Sequence, residues 1–177
     1  MKKFLKDKSG ISLIELVVVI AIMSVLVGAI GLGVGLSSTK PATQCAKKLQ
    51  MAIQKTRVDT MGKKNGRLVV KLEADGTISM TEELNYGTGT AKIDGPVTVG
   101  SKGVSVKTGS PGSPLTATGF VVEFYRGDGK LYVCTSNYSG ISEATRYDAL
   151  PIVVTKGNRS YSIDIDSLTG RVTLENL

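Results

Sequence analysis

The chain has no histidine and no tryptophan among its 177 residues, and aromatic side chains make up only 5% of it. Without histidine there is no Ser-His-Asp triad, no imidazole general base and no histidine-ligated zinc. The two cysteines, Cys45 and Cys134, are too few and too far apart for a cysteine metal motif. They could form one disulfide if the chain lies outside the cytoplasm, or they could be two small buried residues; sequence spacing does not decide. Asp164 and Asp166 share one strand face and could join Asp128 at a cation, yet no loop offers the closely spaced oxygens of a calcium loop. A solvated strand face accounts for them more simply. The P-loop spacing is absent as well. These absences leave no catalytic residue, no metal site and no cofactor to assign, and the expectation is that the chain is not an enzyme.

The formal net charge of +7 invites a nucleic-acid reading until its location is followed. Lys2, Lys3, Lys6 and Lys8 against Asp7 place +3 of it in the first ten residues, and the remaining +4 is dispersed. A dispersed surplus of that size describes a solvated surface, so no specific nucleic acid is expected as a partner.

What the sequence does contain begins at Ile11. From Ile11 to Leu36 the residues are almost all apolar, and Glu15 is the one charged side chain among them. A helix over that stretch would extend roughly 39 Å, enough to span a bilayer core. The basic cluster before it predicts a cytoplasmic N-terminus and places everything after Ser37 beyond the membrane. A secretory signal has a shorter apolar core, typically about 7–15 residues, although small residues near Gly28 and Ala29 would suit signal peptidase. A plain anchor fits the length. Neither accounts for a carboxylate one turn inside the apolar run, which costs about 2.5–3.5 kcal/mol at mid-membrane and less near an interface.

The string from Lys8 to Ile22, with Gly10, Ile11 and Glu15 at its key positions, resembles the N-terminal motif of the type IV prepilin and pseudopilin family. The resemblance implies cleavage between Gly10 and Ile11 by a prepilin peptidase, N-methylation of Ile11 by the same enzyme, and an assembly role for Glu15. In that family the glutamate meets the N-terminal amine of a neighbouring subunit, a pairing that neutralises two charges otherwise stranded in an apolar medium. Ile11 stands where the family most often has Phe, and Ser12 where it has Thr. The proline that often interrupts the family's apolar helix is missing, and Gly28, Gly31, Gly33 and Gly35 cluster there instead. Glycines either loosen that end of the helix or allow close helix packing, and both remain open.

Beyond the polar stretch from Ser37 to Pro41, the residues Cys45, Leu49, Ala52, Ile53, Thr56 and Thr60 recur at helical spacing. This predicts an amphipathic helix that stops at Gly62–Gly66 and packs its apolar stripe on a sheet. It could continue the membrane helix as one element from Ile11 to about Met61. The remainder reads as strands joined by turns: Leu68–Leu72 with Thr77–Met80, then Val97–Val99, Val104–Lys107, Phe120–Tyr125 with Leu131–Cys134, Ile152–Val154 with Tyr161–Ile165, and a closing strand after Gly170.

The expected fold is α+β and pilin-like, a long N-terminal helix packed on antiparallel sheet structure. The expected organisation is a leader over 1–10, a transmembrane and assembly helix over 11–36, an amphipathic helix half with its stop over 37–66, and a β-rich globular domain over 67–177. The Gly127-Asp128-Gly129 hairpin and the closing Gly170-Arg171-Val172 look like the minor pseudopilins of type II secretion and related minor pilins. The resemblance implies a structural subunit of a type IV pilus-like or type II secretion filament. Its implied partners are the prepilin peptidase, other pilin subunits, an inner-membrane assembly platform and the lipid bilayer. The implied location is the bacterial cytoplasmic membrane, with the C-terminal domain outside the cytoplasm, and then the filament. A membrane-tethered extracytoplasmic binding module that never polymerises is the alternative.

Overall fold

The structure, a computed structural model, describes residues 13–24, 40–62, 65–85 and 91–177. The leader, Gly10, Ile11, the glycines from Gly28 to Gly35 and the expected continuity of one helix from Ile11 to Met61 lie outside the described residues. The chain divides into two compact units, Met1–Ser37 and Ser38–Leu177. In the first, residues 13–24 are helical (α1). The second, called the outer unit below, contains helix α2 (Lys40–Met61) and ten strands.

Helix α2 carries Pro41 in its first turn, where a missing N–H costs nothing. The positions expected to face a sheet, Cys45, Leu49, Ala52, Ile53, Thr56 and Thr60, are all buried, and Ala42 and Ala46 join them. The helix ends where the Gly62 amide donates to the Val58 carbonyl at 3.1 Å.

The strands are β1 (Gly66–Leu72), β2 (Ile78–Leu84), β3 (Lys92–Gly100), β4 (Ser105–Thr108), β5 (Ser113–Pro114), β6 (Phe120–Phe124), β7 (Leu131–Thr135), β8 (Ile152–Lys156), β9 (Arg159–Ile165) and β10 (Val172–Asn176). Each hairpin read from the sequence forms: β1 with β2, β6 with β7 and β8 with β9. They divide into two antiparallel five-stranded sheets, in the orders β3-β2-β1-β6-β7 and β10-β9-β8-β4-β5. One helix serves both sheets, since α2 packs on β1, β3 and β6 of the first and on β8, β9 and β10 of the second. The core between them includes Leu49, Ile53, Leu68, Phe120, Ile152 and Ile163, all essentially inaccessible. At about 25 cal/mol per Å² of apolar area, this shared burial is what holds two sheets against a single helix. In β9 Ile163 and Ile165 are buried and Asp164 between them is exposed, but Ser162 is buried as well, and the half-buried Tyr161 reaches α2, its hydroxyl 2.8 Å from Thr43 Oγ1.

Cys45 and Cys134 are free thiols, both fully buried. Of the two readings left open, the structure shows the pair of small buried residues and not the disulfide. Cys45 packs where Ile78 of β2 meets Gly100 of β3, whereas Cys134 sits in β7 opposite Val122. Three strand intervals separate β2 from β7, roughly 14 Å at the usual spacing, well beyond the reach of a bridge. Burial pushes the Cys45 thiol from 9.0 up to about 12, and raises that of Cys134 too.

Candidate functional site

Helix α1 has no polar face. Leu13, Ile14, Leu16 to Ile20, Ile22 and Met23 point in every direction around its axis, and each of them is at least half exposed. A helix apolar all round needs a nonaqueous environment on every side. Its polar groups fit that demand. Ser24 returns its hydroxyl to the Ile20 carbonyl at 2.7 Å, so the side chain asks for no water. Glu15, exposed near the start of the described helix, is the one ionisable group from residue 13 to residue 24. Among the described residues no helix is long and apolar enough to cross a membrane. The described part of α1 begins two residues after Ile11, so the structure places Glu15 but not the cleavage and methylation positions Gly10 and Ile11.

Of the aspartates weighed as cation ligands, Asp164 lies exposed on β9, whereas Asp166 falls just past the strand's end and serves a turn, as Asp128 does. Asp128 Oδ1 accepts from the Lys130 amide at 3.1 Å, and its other oxygen is 3.2 Å from the Lys130 ammonium. Asp166 Oδ1 accepts from the Leu168 amide (3.0 Å), the Thr169 amide (2.7 Å) and the Thr169 hydroxyl (2.8 Å). Asp75 does the same for Thr77 in the β1–β2 turn. These hydrogen bonds hold all three carboxyls below the usual carboxylate range. Among the described residues no group of three or more Cys, Asp or Glu is placed to hold a metal ion.

The outer unit buries two carboxylates that sequence reasoning missed, Glu82 and Glu123, and Glu83 beside the first is partly exposed. Glu82 and Glu83 are neighbours in β2, so they point to opposite faces of the sheet. Glu82 turns toward α2, where the Thr56 hydroxyl donates to it at 3.1 Å and Lys55 pairs with it. Its hydrogen bond holds the Lys55 ammonium above its usual range. Glu83 faces Arg67, its cross-strand partner, at 2.6 Å. On that same face the Arg67 guanidinium lies 4.9 Å from the centre of the Tyr138 ring, and Tyr138 donates its hydroxyl to the buried Glu123 at 2.7 Å. The sequence signal was the Glu82-Glu83 pair itself, which only the β1–β2 register turns into contacts. Each of these groups is consumed in holding the outer unit together.

Residues 5–31 match the family model of the prokaryotic N-terminal methylation motif. No curated protein and no solved structure matches the chain. The matched segment contains Gly10, Ile11, Glu15 and the whole of α1, and the motif implies processing by a prepilin peptidase, a membrane-anchored precursor and assembly with other pilins. At its N-terminus, therefore, this chain carries the type IV prepilin and pseudopilin signature.

Proposed function

We propose that the chain is a structural subunit, a pilin or minor pilin or pseudopilin, of a type IV pilus-like or type II secretion filament. The observation that carries this is α1: an apolar surface exposed on all sides, with a single acid, inside the matched motif. Each large side chain there gains about 1.5–3 kcal/mol on leaving water, so the segment requires lipid first and packed neighbours later. As a precursor the chain sits in the bacterial cytoplasmic membrane, its basic leader inside and its outer unit beyond. Trimming after Gly10 removes the leader and creates an α-amino cation at Ile11. Glu15 of an adjacent subunit then meets that cation, and each charge offsets the other's desolvation.

The test is mass spectrometry of the mature N-terminus, on material sheared from cells and on the membrane fraction. A chain starting at N-methylated Ile11 in the sheared fraction is expected. An intact Met1, or a start near Ala29, overturns the proposal. A processed chain confined to the membrane would instead favour the tethered binding module.

A further inference from the structure

The two sides of α2 meet different surroundings. At 3.6 residues per turn, Lys48, Met51, Ala52 and Lys55 fall on one side, and Arg57 and Met61 on the opposite one. The first side borders an open groove of about 360 Å³ between the helix and strands β2 and β3, floored by Leu68, Met80 and Val99. Met51 and Val97 at its mouth are 62% and 46% exposed. Its rims differ in sign, with Lys48 on the helix and Asp94 on β3, and neither makes an ion pair with a described residue.

The opposite side of α2 holds the β9–β10 turn. There Arg57 donates to the Thr169 carbonyl at 2.8 Å, and the three bonds to Asp166 fix the turn from within. At its tip this rigid turn presents Leu168, 74% exposed, the most exposed large apolar side chain described in the outer unit. Asp166 and Arg171 flank it, so the knob carries the same two signs of charge as the groove.

Because knob and groove lie on opposite sides of one helix, no chain can seat its own Leu168 in its own groove. A second copy can. We propose that Leu168 of one subunit docks in the α2–β3 groove of the next, with Asp166 toward Lys48 and Arg171 toward Asp94. Such a contact is heterologous: it leaves a free groove at one end and a free knob at the other, and repetition gives an open helical array. Apolar burial at the centre with opposite charges at the rim is the usual division of labour at a protein interface. The contact rests on the filament function proposed above and supplies its outer layer.

The experiment introduces Leu168→Cys and Val97→Cys together in the full chain and oxidises sheared filaments with copper phenanthroline. A ladder of covalent multimers is expected from the double variant, and none from either single variant, since Cys45 and Cys134 are buried. Leu168→Asp, a change at an exposed side chain, is expected to reduce recovery in the sheared fraction at least tenfold while the precursor is still trimmed. Wild-type filaments with no ladder from the double variant overturn the docking contact and leave the filament function standing. So does a dimer from Leu168→Cys alone, which signals a two-fold contact, or an adduct joining Val97→Cys to a different polypeptide. Wild-type chain that never enters a filament overturns both.

Discussion

Arg57 Nε donates to the Gly129 carbonyl at 3.0 Å, and its second guanidinium arm donates to the Thr169 carbonyl at 2.8 Å. Gly129 closes the β6–β7 hairpin of one sheet, and Thr169 belongs to the β9–β10 hairpin of the other. One side chain of α2 therefore ties the two sheets together at their tips. Arg57→Ala is expected to cost about 1–3 kcal/mol, the range for hydrogen bonds from a charged donor, discounted for partial exposure. Arg57→Lys should recover less than half of it, because one ammonium cannot span two carbonyls. Urea titrations of the full chain in detergent, followed by circular dichroism, would show this as a fall in midpoint. Unchanged midpoints for both variants would mean that the tips are held by packing alone.

The same junction constrains Gly170. Its φ is +68°, and a Cβ there would lie 1.9 Å from the Gly129 carbonyl oxygen and 2.8 Å from Arg57 Nε. Gly170→Ala therefore has to displace the hairpin contact as well as hold a left-handed backbone, a loss of about 2 kcal/mol or more. Since both substitutions break one junction, Gly170→Ala combined with Arg57→Ala should cost clearly less than the two separate losses added together. Strict additivity in the same titration would show the two sites to be independent.

Much of this outer unit was legible in the sequence, and the boundary of legibility is physical. The buried stripe of α2 from Cys45 to Thr60 and the alternation of Tyr161, Ile163 and Ile165 are periodic, so a local pattern reveals them. The partition into two sheets is not local. Nothing between Gly100 and Ser105 announces that β3 and β4 belong to different sheets, nor that α2 serves both. Arg57 lies off the apolar stripe of α2, where nothing in the local pattern sets it apart from the helix's other cations, and its role appears only when Gly129 and Thr169 are brought to it. At the N-terminus the order is reversed. Gly10, Ile11 and Glu15 form a motif that the sequence displays directly, and the structure adds the exposure of α1.

Buried Glu82 offers a third measurement. Lys55 and Thr56 compensate its charge, so Lys55→Met leaves a mostly buried carboxylate with the Thr56 hydroxyl as its remaining hydrogen-bond donor among the described residues. A loss of about 1–3 kcal/mol is expected, below the value for a fully buried pair because Lys55 is largely solvated. Adding Glu82→Leu should restore much of that loss, since the stranded charge goes with it. If the double variant is less stable than Lys55→Met alone, the carboxylate is contributing through contacts other than this pair.

The cysteines predict a pH dependence with a definite sign. Burial holds the Cys45 thiol at about 12 in the folded chain against 9.0 as the ordinary value, and shifts Cys134 in the same direction. A raised acid pKa favours folding while the unfolded thiol is protonated. Its contribution is therefore intact below about pH 9 and is lost as the pH climbs toward 12, at about 1.4 kcal/mol per pH unit per thiol. Stability measured at pH 8.5 and 10.5 should fall less in Cys45→Ala than in the wild type. Thiol reagents should label neither cysteine before unfolding. Equal pH slopes in the two proteins would show that Cys45 does not titrate on unfolding in this range.

Glu15 connects these physical arguments to assembly. If its carboxylate serves only to terminate or orient α1, Glu15→Gln should be silent, because the amide keeps the shape and hydrogen-bonding capacity. If it neutralises the Ile11 amine of a neighbouring subunit, charge is what matters, and Glu15→Gln should behave like Glu15→Ala. Both variants are expected to insert in the membrane and to be trimmed after Gly10, since removing an acid eases insertion. Both are then expected to fall at least tenfold in the sheared fraction relative to the membrane fraction, measured by immunoblot of the same cells. Normal incorporation of the two variants would show that the charge plays no part in assembly, and incorporation of Glu15→Gln alone would assign the role to hydrogen bonding.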